Sequence, residues 1–108
     1  MIENYLIEKN ISYKTQYKFE DLKYKKHLKF DFAILDSEGN LDFLIEYNGE
    51  QHYKYRGQYG MNKKEFDKIK TRDNIKINYC INNKIDIFII RYDEDVNSKL
   101  EEIFYLKN

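Results

Sequence analysis

Two stretches of the sequence decide the fold: LKFDFAIL at residues 28–35 and LDFLIEYN at residues 41–48. In both, apolar side chains occupy every second position, which is the period of a β-strand with two different faces. The residues between them, DSEGN at 36–40, are typical of a tight turn. The sequence therefore predicts a β-hairpin, and the rest of the fold is predicted outward from it.

The hairpin brings two acids together. If the turn folds about Glu38-Gly39, Asp31 and Glu46 face each other, with Cβ atoms roughly 5 Å apart. Two facing carboxylates repel each other, whereas a divalent cation between them makes the same arrangement favourable. The alternative is that both acids only point to solvent, but Leu44 and other apolar side chains share their face and need cover. We therefore predict a metal site at Asp31 and Glu46.

The remaining pattern completes a single α/β domain over residues 1–108. It predicts a helix over Ile2 to Lys9, a strand from Ile11 to Phe19, a charged loop from Glu20 to His27, a helix from about Lys63 to Cys80 capped by Asn62, a strand from Ile85 to Ile90, and a last helix capped by Asp95. The strand at 85–90 looks too apolar for a sheet edge. A helix before it predicts a right-handed crossover and parallel pairing. The expected order is αβββαβα, a mixed four-stranded sheet flanked by helices.

Composition excludes several classes of protein. The single cysteine, Cys80, rules out an internal disulfide and a thiolate zinc cluster. The sequence shows neither a signal peptide nor an apolar run long enough to span a bilayer, so we expect a cytoplasmic protein without a membrane partner. The formal net charge of zero argues against a polycation that coats nucleic acid. Basic residues are nevertheless concentrated at 9–29 and 54–76, which leaves room for a basic face.

The long helix carries a carboxylate on its core-facing stripe. The stripe consists of Phe66, Ile69, Ile77 and Cys80. Asp73 falls on the same stripe, where a carboxylate is costly unless it is paired. His52 follows the strand of Glu46 and is a candidate partner, because an Asp–His pair fixes the imidazole tautomer and raises its basicity. Alternatively, Asp73 bonds to the backbone or to Arg72, and His52 lies on the surface.

Basic, polar and aromatic side chains near these acids are candidate contacts to DNA. They are Lys29, Gln51, Lys54, Arg56, Lys70, Arg72 and Lys76, with Tyr53, Tyr55 and Tyr59 interleaved in the loop. Clustered beside an acidic metal site, lysines and arginines indicate phosphate contacts, and tyrosines can stack on bases. For any one of them an ordinary solvated charge is the simpler interpretation, and the tyrosine-rich loop can instead pack on its own domain. Gln51 is the weakest candidate.

Three blocks of the sequence resemble a known group of enzymes. The blocks are LKFDF at 28–32, IEYNGEQHY at 45–53 and RDNIKINYC at 72–80. In this order they resemble the PD-(D/E)XK nuclease superfamily, and within it the EDxHD branch related to very-short-patch-repair and phage homing endonucleases. The resemblance implies a restriction-endonuclease-like core, Mg²⁺ or Mn²⁺ as cofactor, and an intracellular setting in a bacterial or phage-infected cell. It further implies metal ligation by Asp31 and Glu46, and catalysis by His52 as general base or acid with Asp73 as its orienting partner.

The chain departs from the family pattern at two positions. Asn48 stands where most members have a lysine, which the branch replaces with the histidine. The acid that the branch carries in its first helix would fall before Met1, and Glu3 is a possible substitute. The expected function is a metal-dependent DNA endonuclease with weak sequence or structure preference, or with a recruiting partner protein that gives it specificity. It is expected to nick DNA unless it forms a homodimer. An inactive nuclease-like module that binds DNA or protein, and a nuclease acting on RNA, are the alternatives.

Overall fold

The computed structural model describes residues 1–53 and 63–107, which form a four-stranded sheet with helices on both faces. In chain order the elements are α1 (Ile2–Glu8), β1 (Tyr13–Tyr24), β2 (Lys26–Leu35), β3 (Leu41–Asn48), a 3-10 turn (Glu50–His52), α2 (Lys63–Asn82), β4 (Asp86–Arg91) and α3 (Val96–Lys107). The predicted α/β class and the order αβββαβα are confirmed. Predictions for Lys54, Tyr55, Arg56, Tyr59 and the Asn62 cap lie outside the described residues.

The strands lie side by side in the order β1-β2-β3-β4. The β1–β2 and β2–β3 pairs are antiparallel, and β3 pairs with β4 in parallel, as the connection through α2 predicts. In the described sheet β4 lies at the edge, so the prediction of an interior position was wrong. Its apolar side chains are covered by helices instead: Ile87 packs in the cluster below α2, and Ile90 in the cluster below α1 and α3.

Residues 20–27 form strands, and the prediction of a charged loop there was wrong. β1 continues to Tyr24 and β2 begins at Lys26, with only Lys25 between them in the left-handed region at φ 68°. Within this stretch Leu22 is buried while its charged neighbours are exposed. A hairpin with one solvated face keeps many charges, so charge density alone did not distinguish it from a loop.

Two clusters of apolar side chains cover the two faces of the sheet. The cluster on the α1/α3 face consists of Ile2, Leu6, Ile34, Phe43, Ile45, Ile90, Val96, Leu100 and Ile103. The cluster on the α2 face consists of Leu22, Leu28, Phe30, Ala33, Leu44 and Cys80. Along β3, Phe43 and Ile45 point to the first face and Leu44 to the second. None of the helices within residues 1–53 and 63–107 combines the length and apolar character of a membrane span.

The β2–β3 hairpin has the predicted register and then opens into a fork. Ala33 pairs with Leu44, and the last pair before the opening is Phe32 with Ile45. Beyond that pair the ladder between the two strands ends: the start of β2 pairs with β1, and the end of β3 pairs with β4. The next residue on each strand is an acid, Asp31 on β2 and Glu46 on β3. Both acids therefore stand where the strands separate.

The strand alternation breaks at Asp31. Phe30 packs on the α2 face and Phe32 on the α1/α3 face, although residues two apart share a face in a regular strand. The expectation that both phenylalanines share a face was therefore wrong. On the neighbouring strand, Gln16 has a positive φ of 50° at this level of the ladder. Such irregularities bend a strand and re-aim a side chain, and here they place Asp31 at the mouth of the fork.

Candidate functional site

Asp31 and Glu46 bind to each other's strand at the fork. Oε1 of Glu46 accepts the backbone N–H of Asp31 at 2.6 Å, and Oδ2 of Asp31 accepts the backbone N–H of Tyr47 at 2.8 Å. Two side-chain carboxylates thus take over hydrogen bonds that a continued β-ladder would supply. The predicted meeting of the two acids is observed, and it is held in place by the backbone on both sides.

Lys76 from α2 closes the other side of Glu46. Its Nζ donates to Oε2 of Glu46 at 2.6 Å, and only 14% of the lysine and 9% of the glutamate side chain are exposed. The ammonium lies 4.9 Å from the centroid of the Phe30 ring, within range of a cation–π interaction. Lys76 was predicted as a phosphate contact, and the structure places its ammonium inside the site, on the carboxylate of Glu46.

Burial dominates the titration of Glu46. Removal of the carboxylate from water raises its pKa above the ordinary value of 4.5, the nearby charge of Lys76 acts in the opposite direction, and Asp31 raises it further. Behind the pair, burial raises the pKa of the Cys80 thiol to about 11, with Glu46 adding to the shift. Cys80 is therefore a thiol at neutral pH and belongs to the core.

His52 and Asp73 form the predicted pair. Nδ1 of His52 lies 2.9 Å from Oδ2 of Asp73, with 21% and 16% of the two side chains exposed. One helical turn before Asp73, Lys70 donates from Nζ to the backbone carbonyl of His52 at 2.7 Å. α2 thus holds both the ring and the backbone of the histidine. Because Nδ1 is engaged by a carboxylate, Nε2 is the nitrogen that can exchange a proton with a substrate.

Tyr53 anchors the chain directly after His52. Its ring lies 4.1 Å from the guanidinium carbon of Arg91 and 5.3 Å from Nζ of Lys70. Its hydroxyl accepts a long hydrogen bond from Nδ2 of the buried Asn48 at 3.4 Å. Sequence reasoning missed Asn48 and Arg91 as supports of this segment. Asn48 could have been identified from its position on the buried face of β3. Arg91 could not, because only the register between β3 and β4 places it beside Asn48.

One residue of each pair, Glu46 and Asp73, lines the same small cavity. A cavity of about 10 Å³, the size of a single water molecule, is lined by Glu46, Asn48, Asp73 and Lys76 together with Ile77, Ile87 and Ile89. Its walls come from β3, β4 and α2. Three side chains that were predicted separately, Glu46, Asp73 and Lys76, therefore converge on the same point between the sheet and the helix.

The other predicted residues are less closely grouped. Lys29 is exposed on β2 and pairs across the ladder with Lys18, and Arg72 is exposed on α2. Gln51 lies in the 3-10 turn, and its side chain is outside what the structure describes.

Lys54 and Arg56 belong to the segment 54–62 that the structure does not describe. Glu3, the suggested substitute for the missing family acid, accepts a hydrogen bond from the hydroxyl of Tyr13 at 2.6 Å. It lines a pocket with Phe32 and Tyr47. Phe32 packs on the α1/α3 cluster, so this pocket opens on that side of the sheet.

The two acids suit a magnesium ion that keeps part of its own shell. In the described parts of the chain, no three side chains among histidine, cysteine, aspartate and glutamate gather to hold a metal by themselves. Mg²⁺ is often held by one or two carboxylates, with water and substrate phosphate completing its octahedron. Asp31 and Glu46 provide that minimum, whereas a cation that needs a full protein cage does not fit these residues.

The chain is similar to a viral protein whose name states no activity. It shares 32% identity over 88 residues with "Uncharacterized protein 307L" of Invertebrate iridescent virus 6. The alignment covers 77% of this chain and 45% of the viral protein, so the chain spans less than half of that relative's length. No protein-family model and no solved structure matches the chain.

Proposed function

We propose that this chain is a metal-dependent endonuclease domain of the PD-(D/E)XK type that hydrolyses DNA phosphodiester bonds. One observation carries the proposal: Glu46 of the Asp31–Glu46 pair and Asp73 of the His52–Asp73 pair line the same small cavity. A structural salt-bridge network needs no imidazole oriented by a carboxylate beside it. A phosphodiesterase site needs both an acidic metal site and a group that moves a proton.

Asp31 and Glu46 are the residues that would hold Mg²⁺ or Mn²⁺. When bound, such an ion polarises the scissile phosphate and lowers the pKa of a water molecule. The fork between β2 and β3 fixes both carboxylates through backbone hydrogen bonds of 2.6 and 2.8 Å. Fixed carboxylates favour catalysis, because little reorganisation remains when the substrate arrives.

His52 moves the proton in this mechanism. Its Nε2 accepts a proton from the attacking water or donates one to the leaving oxygen, while Asp73 and Lys70 hold its ring and backbone. The side chain is 21% exposed, so the ring is partly accessible to a substrate. Asp73 fixes the orientation and the tautomer of the ring through its contact with Nδ1.

Three basic side chains of the described residues would hold the DNA backbone. Lys29 and Arg72 are exposed, and Lys70 lies beside His52. A domain of 108 residues offers little surface for reading bases, so we expect weak sequence preference or recognition of a distorted DNA structure. One site per chain produces a nick, and a double-strand cut requires a second copy or a partner protein.

A nuclease-like binding module without turnover is the second candidate. The observation that favours it is the bond between Lys76 and Glu46, because a lysine already neutralises the acid that would otherwise bind metal. Such a module retains DNA without cutting it. The two candidates therefore make opposite predictions for a cleavage assay and the same prediction for a binding assay.

Plasmid nicking separates the two candidates. We expect supercoiled plasmid to be converted to open circles with Mg²⁺ or Mn²⁺ and not with EDTA, and Asp31→Ala and His52→Ala to lose this activity. The chain offers matched controls in its other histidine, His27, and in Asp42, an exposed acid on the strand of Glu46 that pairs with Lys107. His27→Ala and Asp42→Asn should nick normally. Gel retardation without nicking in the wild type would select the binding module.

A further inference from the structure

We infer that Lys76 and a divalent cation are alternative partners of Glu46. The ammonium of Lys76 binds the Glu46 carboxylate until a cation displaces it. This inference rests on the proposed metal site and adds a property to it. In the structure, Lys76 fills the electrostatic role that the sequence assigned to a metal, since its Nζ lies 2.6 Å from Oε2 of Glu46.

The geometry leaves little room for both cations on one carboxylate. Oε1 of Glu46 is fixed by the backbone N–H of Asp31, and Oε2 by Lys76. An ion bound to Oε2 at about 2.1 Å would lie within about 5 Å of Nζ. At that separation in a buried site, a divalent and a monovalent cation repel each other strongly. Glu46 can therefore bind only one of the two, the Lys76 ammonium or the divalent cation, tightly.

Lys76 can leave Glu46 without a change of backbone. Its stem has four carbons with rotatable bonds, and its ammonium also contacts the ring of Phe30 at 4.9 Å. Asp73 lies one turn earlier on α2 and lines the same cavity, so a second carboxylate is within the range of neighbouring helical side chains. The displaced charge would remain compensated inside the site, and the fold would stay intact.

The inference predicts that removal of the lysine charge strengthens cation binding. The probe is Mn²⁺ alone, without DNA, titrated into the full chain and followed by the electron paramagnetic resonance signal of free Mn²⁺. We expect Lys76→Met to bind Mn²⁺ at least about 10-fold more tightly than the wild type, and Asp31→Asn combined with Lys76→Met to lose the binding. The control is Lys99→Met, which removes a lysine of α3 that pairs with Glu94, and it should leave the affinity for Mn²⁺ unchanged.

Other outcomes separate the inference from the proposed function. Equal or weaker binding by Lys76→Met, with measurable binding by the wild type, would overturn the competition and leave a metal-dependent nuclease in place. Absence of binding in every variant would overturn both. If Lys76→Met does not fold, as judged by circular dichroism, Lys76→Arg and Lys76→Gln provide the test. The arginine keeps the charge and should not bind more tightly, whereas the glutamine should.

Discussion

The two faces of the sheet are built from the same strands and differ in the side chains that they bury. The α1/α3 face is closed by aliphatic and aromatic side chains, and its core cluster contains only apolar residues. The α2 face has its own apolar cluster but also buries Glu46 against Lys76 and holds Asp73 against His52. Buried ion pairs often stabilise a protein less than apolar residues of the same size would. The charges on the α2 face are therefore weak evidence of stabilisation, which is consistent with the function proposed for this face.

β3 shows this difference within one strand. Phe43 and Ile45 point to the α1/α3 face and are fully buried there. Glu46 and Asn48, on the other set of positions, line the small cavity beneath α2. Because side chains alternate along a strand, one short segment contributes to the core and to the site. Substitutions on the two sets of positions should therefore have separable effects, on stability and on activity.

The largest effect on stability should come from the α1/α3 face. Phe43 is fully buried and contacts the rings of Phe88 and Phe104, each at a centroid distance of 5.4 Å. We expect Phe43→Ala to lower the free energy of unfolding by about 3–5 kcal/mol, measured by urea denaturation. Tyr105→Ala on α3, where 80% of the residue is exposed, is the control and should change it by less than about 0.5 kcal/mol. A similar loss in both variants would contradict a single well-packed cluster on this face.

The largest effect on activity should come from the α2 face. Loss of a general base costs typically about 10²–10⁴-fold in rate, which is the range expected for His52→Ala. Asp73→Asn keeps the ring in place less firmly, and a displacement of about 1 Å can cost about 100-fold. We expect Asp73→Asn to reduce plasmid nicking by up to that factor, with its unfolding curve close to that of the wild type.

The control for Asp73 lies on the same helix. Asp67 is exposed and pairs with Lys63 at 3.6 Å, so Asp67→Asn should nick at the wild-type rate. If Asp73→Asn is fully active while His52→Ala is inactive, the histidine does not depend on its carboxylate partner. In that case the Asp73–His52 bond would serve only to attach the 3-10 turn to α2.

Glu46 should make the α2 face sensitive to pH in one direction. Burial raises its pKa above 4.5, so the folded protein binds this proton more readily than the unfolded chain. The stability contribution is fully present below about pH 4.5 and is lost as pH rises through the raised pKa. In urea denaturation with EDTA, wild type should lose stability relative to Glu46→Gln as pH increases over this window. A gain in stability with rising pH would mean that the charge of Lys76 affects the pKa of Glu46 more than burial does.

The stability contribution of Asp95, at the start of α3, should change with pH in the opposite direction to that of Glu46. We expect this to be the smallest of the effects. Its carboxylate caps α3 through hydrogen bonds from Ser98, which lower its pKa below 3.8. Its contribution is present above that value and lost as pH falls through the lowered pKa. Wild type and Asp95→Asn should therefore converge in strong acid and separate above about pH 3.8. If their unfolding midpoints separate in acid and converge above it, the carboxylate is not the cap.

Local patterns predicted most of the elements and several of their neighbours. Alternation gave the β2–β3 hairpin and its register from Phe32 to Ile34, and helical spacing placed Asp73 on the side of α2 where it lines the cavity with Ile77. Of the predicted core-facing stripe, Cys80 is the residue that is buried. The cap of α3 at Asp95 was also predicted and is observed. These features depend on residues close in sequence, where backbone periodicity limits the choices. The pairing of His52 with Asp73 followed because the hairpin and the helix are consecutive elements.

Features that depend on partners from distant segments were not predictable in this way. The edge position of β4 depends on which strand pairs with which, and no local property of its apolar sequence expresses that. The irregularity at Asp31 lies opposite Gln16 of β1, which has a positive φ, and Phe30 and Phe32 pack on opposite faces of the sheet. A period-two pattern cannot show such a break, because both residues are apolar in either arrangement.

By itself, then, the sequence determined the α/β class and the hairpin with its two acids. It also determined that a histidine and an aspartate lie on consecutive parts of the fold, where they can form a pair. Tertiary structure alone decided that Lys76, thirty positions after Glu46 in the chain, fills the space between those acids and the helix. The physical reason is that periodicity fixes which face a side chain occupies, whereas charge compensation depends on which groups share a buried volume. That volume exists only after α2 has packed across β3 and β4.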